Sequence, residues 1–361
     1  MESSLKGLVS AYKRKWVEDF GNVSTKELES FWLDMFKTFE ATLFNNAVRR
    51  GDVSNLPVAA VPQPITTVLS APMGAGKSTA LMHYLKSMNK YYRALVVVQL
   101  IDTANEYEVY LNDVGCVAAH SKNGKAVEDA LNSRILIITH SMLLRLIKGG
   151  TSDALFDSYD LIVIDEQICT YEHVVFSEYD INSQVVPTLK ALDLHDEFGG
   201  VFAGILNEVS LFKSCGEKVS VLNKCHGDKN ESMIDWSVLA SALKEKLRNG
   251  CSYEDGLYSN LKNLVLKVSS ASRQGRHKLA FLQSEGRRIT YNIVVDYLPH
   301  MVSKVVLDGT AHVNDVYRLL QENIGLMDVK VYPKVRIYRN ALISACSMPT
   351  GKSALTRASI A

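Results

Sequence analysis

Ser70-Ala71-Pro72-Met73-Gly74-Ala75-Gly76-Lys77-Ser78-Thr79 is the stretch whose reading decides the fold. An apolar extended run, Ile65 to Leu69, leads into it, and a helical pattern from Thr79 to Met88 leads out. Strand, glycine-rich turn, lysine, hydroxyl and helix is the order that a phosphate-binding loop requires. Glycines 74 and 76 let the backbone approach an anion closely. Successive N–H groups and the positive end of the following helix then face it. In that arrangement Lys77 reaches the β- and γ-phosphates of a nucleotide, and the Ser78 hydroxyl completes a Mg²⁺ shell. Ala71 stands where the usual G-x-x-x-x-G-K-[ST] pattern begins with glycine. The whole run from Ala71 to Thr79 is the candidate nucleotide-binding segment.

Outward from this loop the chain alternates strand and helix. Ala94 to Leu100, Arg134 to Thr139 and Leu161 to Ile164 are continuous apolar runs, the mark of strands buried on both faces in a parallel sheet. Helical patterns lie between them, at Thr103 to Leu111 and Met142 to Ile147. This predicts a P-loop α/β fold, doubly wound and mostly parallel, with ligand chemistry at the C-terminal ends of the strands.

Before the loop, Leu5, Leu8, Val9, Tyr12 and Trp16 recur at helical spacing. A second helix carries Leu28, Phe31, Trp32, Met35, Phe36, Phe39 and Leu43, a stripe that reads as packing on the chain's own core. Beyond residue 177 the alternation lapses into helical segments (Val185 to Leu194, Ser237 to Arg248, Tyr258 to Leu264). A hairpin follows, Leu279 to Gln283 and Ile289 to Tyr297, then strands at Val302 to Leu307 and Val329 to Tyr338. The expected organisation is a helical segment and linker over 1–60 and the first part of the nucleotide domain over 61–180. A largely helical insertion follows over 181–275, the last part of the domain over 276–345, and a flexible tail over 346–361.

Composition sets bounds. With 47% hydrophobic and 22% charged residues, the 361-residue chain reads as ordinary globular protein. Forty basic against 39 acidic residues leave a net charge of +1, so charge alone does not advertise a nucleic-acid partner. Six scattered cysteines form no C-x-x-C pair, which argues against a zinc ribbon and for reduced thiols. No run is long and apolar enough to span a bilayer, and Met1 to Lys15 lacks a signal-peptide core, so no membrane role is expected. The expected location is cytoplasmic, or nuclear for a protein of a eukaryotic virus.

A second motif lies 88 residues after Lys77: Asp160-Leu161-Ile162-Val163-Ile164-Asp165-Glu166-Gln167, an apolar strand ending in paired acids. Beside a phosphate loop, Asp165 would bind the nucleotide's Mg²⁺ and Glu166 would polarise the attacking water. A kinase needs no water-activating acid, so the pair points toward hydrolysis. Lys77, Asp165 and Glu166 are the candidate catalytic residues.

The loop at 71–78, the acid box at 165–168 and Gly309-Thr310-Ala311 after the strand Val305 to Leu307 together resemble the first motor domain of superfamily 2 helicases. The resemblance covers roughly residues 60–180 and 275–340. It implies a RecA-like fold, ATP with Mg²⁺, a nucleic-acid partner (DNA before RNA), and coupling of nucleotide state to movement through Gln167, Gly309, Thr310 and Ala311. It also makes Gln99, Thr139 and His140 candidate nucleic-acid contacts, since they stand where the family's strands lead to nucleic-acid-contacting loops. The long gap from 166 to 309 is similar to the Rad3/DinG-like group, and the Ala-Pro-Met-Gly start to herpesvirus origin-binding helicases. Gln167 and Ile168 depart from the family's acid box. The 51 residues after Thr310 are too few for a second motor domain, so the resemblance implies that such a domain, or a partner protein, completes the ATP site. Two other readings stand beside it: a nucleotide-regulated binding module without unwinding activity, and a thymidine-type kinase. Gln167 favours the kinase, and the missing zinc ribbon opposes it.

Overall fold

The computed structural model describes residues 2–50, 65–125, 127–148, 151–166, 171–216, 219–222, 236–249, 254–272, 277–285, 288–296, 302–313, 315–324, 327–333 and 335. Two helices open the chain, α1 (Glu2–Glu18) and α2 (Lys26–Arg49). Thr25 caps α2 by accepting from Leu28 N, and Glu27 and Glu29 occupy its first turn, where the helix dipole favours acids.

From β1 (Thr66–Ser70) the chain alternates through α3 (Lys77–Ser87), β2 (Ala94–Val98), α4 (Ile101–Tyr110), β3 (Cys116–Ala119), α5 (Val127–Ala130), β4 (Ile135–Thr139), α6 (His140–Lys148), α7 (Ser152–Asp157) and β5 (Leu161–Asp165). An excursion follows: β6 (Tyr171–Ser177), α8 (Glu178–Asp180), a π-helical turn (Ile181–Val185), α9 (Val186–Ala191), α10 (His195–Cys215), β7 (Val219–Leu222), α11 (Trp236–Asn249), α12 (Asp255–Ser272), β8 (His277–Glu285) and β9 (Arg288–Asp296). The chain returns with β10 (Lys304–Leu307), α13 (Asp315–Ile324) and β11 (Met327–Val331).

Seven strands form one sheet in the order β11-β1-β10-β5-β2-β4-β3, every pair parallel. Strand side chains alternate between two cores, as a pleat requires. Val96, Val98, Ile135 and Ile137 join Trp32, Phe36, Leu81 and Tyr107 from α2, α3 and α4 on one face. Leu95, Val97, Leu136 and Ile138 join Leu143, Phe156 and Tyr317 from α6, α7 and α13 on the other. This is the RecA-like P-loop fold. The aromatic stripe of α2 is buried in the chain's own core, as its spacing suggests.

The excursion departs from the sequence reading in two ways. α10 occupies residues that carry no helical reading, although Phe198, Phe202, Ile205, Val209 and Phe212 are buried at helical spacing. Gly199, Gly200 and Gly204 interrupt that stripe, and glycines are the usual punctuation of loops. The hairpin β8–β9 forms where read, but it pairs with β7 and β6 in a separate antiparallel sheet, β6-β9-β8-β7. Its apolar face (Ala280, Leu282, Ile289, Tyr291, Ile293) is buried with α10, α11 and α12 in a third core. The boundary expected at 275/276 therefore cuts ahead of a hairpin that packs with the excursion, which holds four strands besides its helices. Residues 51–64, which include the expected linker, the 346–361 tail, and Cys169, Cys225, Cys251 and Cys346 lie outside the described residues. Cys116 and Cys215 are free thiols.

Candidate nucleotide site

Register brings three motifs to one edge of the sheet. Leu69 lies opposite Leu307, and Leu307 opposite Asp165. The phosphate-loop segment, Asp308-Gly309 and Asp165-Glu166 therefore leave three adjacent strands at the same level. A Cβ at Gly309 would stand 3.0 Å from Ala71 O and 3.4 Å from Lys77 Nζ, so this box lies against the loop itself. Asp308 is buried, and its Oδ1 accepts from Thr310 N (2.8 Å) and Thr310 Oγ1 (2.7 Å). Ser70 Oγ meets His312 Nδ1 at 3.1 Å.

Within the loop, Gly74 (φ 71°) and Gly76 (φ 74°) take the left-handed backbone that glycine tolerates. Lys77 Nζ donates to Ala71 O (2.7 Å) and Pro72 O (3.2 Å). Burial pulls its pKa down, while the charges of Asp165, Asp308 and Glu166 act the other way. The N-terminal helices hold the loop from outside. Tyr12 Oη donates to Gly76 O at 3.1 Å or bonds Thr79 Oγ1 at 2.6 Å, and Trp32 Nε1 donates to Ala75 O at 2.9 Å. A Cβ at Gly76 would stand 2.7 Å from both the Trp16 ring and Tyr12 Oη.

Asp165 is buried, and Tyr107 Oη lies 3.3 Å from both Asp165 Oδ2 and Ser78 O, sharing one proton between them. Burial pushes the Asp165 carboxyl up, against the downward pull of Ser78, Lys77 and Tyr107, and the Glu166 charge adds to the rise. Glu166 is exposed and has φ 73°, a left-handed backbone that costs a non-glycine residue about 1–2 kcal/mol. Its N–H donates to Leu307 O at 3.0 Å, which anchors the turn on the neighbouring strand. His140 Nε2 stands 3.1 Å from Asp165 O; a carbonyl only accepts, so Nε2 carries the proton. Burial lowers the His140 pKa.

Among the described residues, Asp165 Oδ1 and Asp308 Oδ2 are buried without a hydrogen-bond partner. Hard carboxylate oxygens beside a hydroxyl are donors that suit Mg²⁺ carried on a polyphosphate, whose anionic oxygens a lysine would pair with. No group of three or more His, Cys, Asp or Glu among the described residues is placed to hold a metal by itself.

Lys77, Ser78, Asp165, Glu166 and Gly309 are thus brought together, with His140 behind the acid pair. Gln99 is exposed just beyond β2, and the Thr139 hydroxyl accepts from Met142 N (3.3 Å), an ordinary cap of α6. Gln167 lies outside the described residues. Arg288, at the start of β9, donates to Ser177 Oγ at the end of β6 (3.3 Å) and pairs with Asp180 (3.9 Å). Tyr107, Asp308, Tyr12 and Trp32 carry no functional signal in the sequence: the tyrosines and the tryptophan sit in helical apolar stripes, and Asp308 merely follows a strand.

The model of the herpesvirus family described as "Origin of replication binding protein" matches residues 41–179, which include the loop, Tyr107, His140 and the acid pair. Among solved structures, that of S. tokodaii Xpd4 is similar over 73% of this chain, at 13% identity and a TM-score of 0.34. This chain covers 57% of that one. No curated protein matches by sequence. No helix among the described residues is long and apolar enough to cross a membrane.

Proposed function

We propose that this chain is the ATP-binding and ATP-hydrolysing motor domain of a superfamily 2 helicase that acts on DNA. The observation that carries the reading is the convergence of Lys77, Ser78, Asp165, Glu166 and Gly309 at the ends of three adjacent parallel strands. The origin-binding family match over the same loop and acid pair supports it, and favours DNA as the partner.

In this reading the loop amides and Lys77 bind the β- and γ-phosphates, and Ser78 and Asp165 would hold Mg²⁺. Held there, the ion would neutralise charge on the phosphates. Tyr107 ties the Ser78 backbone to the Asp165 carboxylate, so the two metal-side groups keep their spacing. Glu166, exposed at the end of β5, takes the proton of the attacking water. Gly309 lets the third box approach the loop closely enough to sense the γ-phosphate. A second motor domain or a partner protein supplies the arginine finger, worth about 10³–10⁵ in rate in other phosphate-loop enzymes.

The test is ATP turnover with and without single- and double-stranded DNA and RNA, for the unaltered chain, Lys77→Ala and Glu166→Gln. Turnover is expected to be slow, stimulated by DNA, and lost in both variants, with ATP binding retained in Glu166→Gln. Turnover indifferent to every nucleic acid and intact in both variants overturns the reading. The direct grip of Tyr12 and Trp32 on the loop favours a second reading, a nucleotide-regulated binding module. It predicts ATP binding without DNA-stimulated turnover.

A further inference from the structure

The peptide bond that joins Asp165 to Glu166 is held at both of its polar atoms. Its carbonyl, Asp165 O, stands 3.1 Å from His140 Nε2, and its N–H, on Glu166, donates to Leu307 O at 3.0 Å. Immediately beyond it Glu166 takes φ 73°, a left-handed backbone that a residue with a side chain keeps only where its surroundings impose it. Leu307 supplies its half of the grip from β10, the strand directly beside β5. His140 supplies the other half from further off. Ile164, Val97 and Ile138 lie in one row across β5, β2 and β4, and His140 leaves β4 two residues past that row. Its ring therefore reaches across the end of β2 to the acid pair.

This contact has one polarity. A carbonyl only accepts, so the ring must present an N–H there. His140 is buried, which leaves its ring turned to the interior. The two bonds together fix the plane of the peptide from which Glu166 departs, and a group that must meet a water in one orientation depends on that plane. We propose that His140 is a positioning residue for hydrolysis: through Asp165 O it holds the Asp165–Glu166 peptide, and with it the Glu166 carboxylate, in place for the attacking water. This rests on the reading of Glu166 as the group that takes the water's proton. It gives His140 a role directed inward to the acid pair, where its place at the end of a strand suggests a nucleic-acid contact.

The test measures ATP affinity, single-turnover hydrolysis of bound ATP with Mg²⁺, and hydrogen exchange at the Glu166 amide without nucleotide, for the full 361-residue chain and its variants. His140→Ala is expected to slow hydrolysis about tenfold, the scale of one hydrogen bond, with ATP affinity changed by less than about twofold. The Glu166 amide is expected to exchange about tenfold faster, while amides of α3 keep their rates. His140→Gln carries an amide N–H at about the reach of Nε2, and is expected to restore hydrolysis and exchange to within about threefold. If His140→Gln behaves like His140→Ala, the ring does something other than donate, and the proposal falls. It falls equally if ATP affinity drops together with hydrolysis, the mark of a general prop of the site. Unchanged hydrolysis or unchanged exchange in His140→Ala overturns it as well. Undiminished hydrolysis in Glu166→Gln overturns the reading of Glu166 instead, an outcome distinct from failure of the His140 tie, which the exchange rates report without turnover.

Discussion

Asp165 shows how a single residue sets stability against function. Its carboxyl is buried beside Tyr107 and Lys77, and burial raises its pKa above the unfolded value of about 4. Between those two values the folded chain binds the proton more tightly than the unfolded one. This group's contribution therefore falls as pH rises through that window, and at neutral pH the ionised carboxylate is a net cost. Asp165→Asn keeps the shape and an acceptor for Tyr107 while removing the charge. It is expected to raise Tm at pH 7 by about 2 °C and to abolish ATP turnover, the gain shrinking toward pH 4 as the native acid protonates. Thermal melts across that range check it; a Tm at pH 7 below that of the unaltered chain contradicts it. Asp165 was legible because an apolar strand ending in two acids, read together with a phosphate loop upstream, is where a nucleotide's Mg²⁺ ligand is expected. Tyr107 was not, because a tyrosine at the spacing of Ala104 and Leu111 reads as core, which it also is.

Helix α2 illustrates the same limit one level up, because its most consequential polar residue lies inside an apolar stripe. Asn46 Nδ2 donates to Asp160 O (2.8 Å) and Ser303 O (2.9 Å), and its Oδ1 accepts from Ser303 N (2.9 Å). These bonds pin the end of α2 to the starts of β5 and β10, the strands that deliver the acid pair and Asp308-Gly309 to the site. Asn46→Ala would leave three buried backbone groups unpaired. It is expected to cost about 3 kcal/mol of stability, read from denaturant unfolding; a loss below about 1 kcal/mol would show that solvent replaces the amide. The parallel sheet itself was readable, since strands buried on both faces leave unbroken β-branched runs. α10 and the partners of β8 and β9 were not. Glycines hid the helix, and the choice of sheet for a hairpin depends on which neighbours cover its apolar face, which local pattern does not encode.

Across the whole molecule, three cores divide into two bodies of packing. Two of them sandwich the parallel sheet, while the third is enclosed by the antiparallel sheet and α10, α11 and α12. Every group assigned to the nucleotide lies on the first body: the loop, Tyr107, the acid pair and Asp308-Gly309. A ligand stabilises whatever unfolding exposes its site, by about 2.7 kcal/mol at a hundredfold excess over Kd. If the second body opens independently, that free energy cannot reach it. Amide hydrogen exchange with and without Mg²⁺ and ATP separates the cases. Slowing by about a hundredfold is expected for amides of β1, β5, β10 and α3 that exchange through opening of the sheet, with α11 and α12 unchanged. Equal slowing in α11 and α12 would make the chain one cooperative unit, in which the excursion is coupled to nucleotide binding across the β5–β6 and β9–β10 connections. That outcome would place the second sheet in the path by which nucleotide state is transmitted.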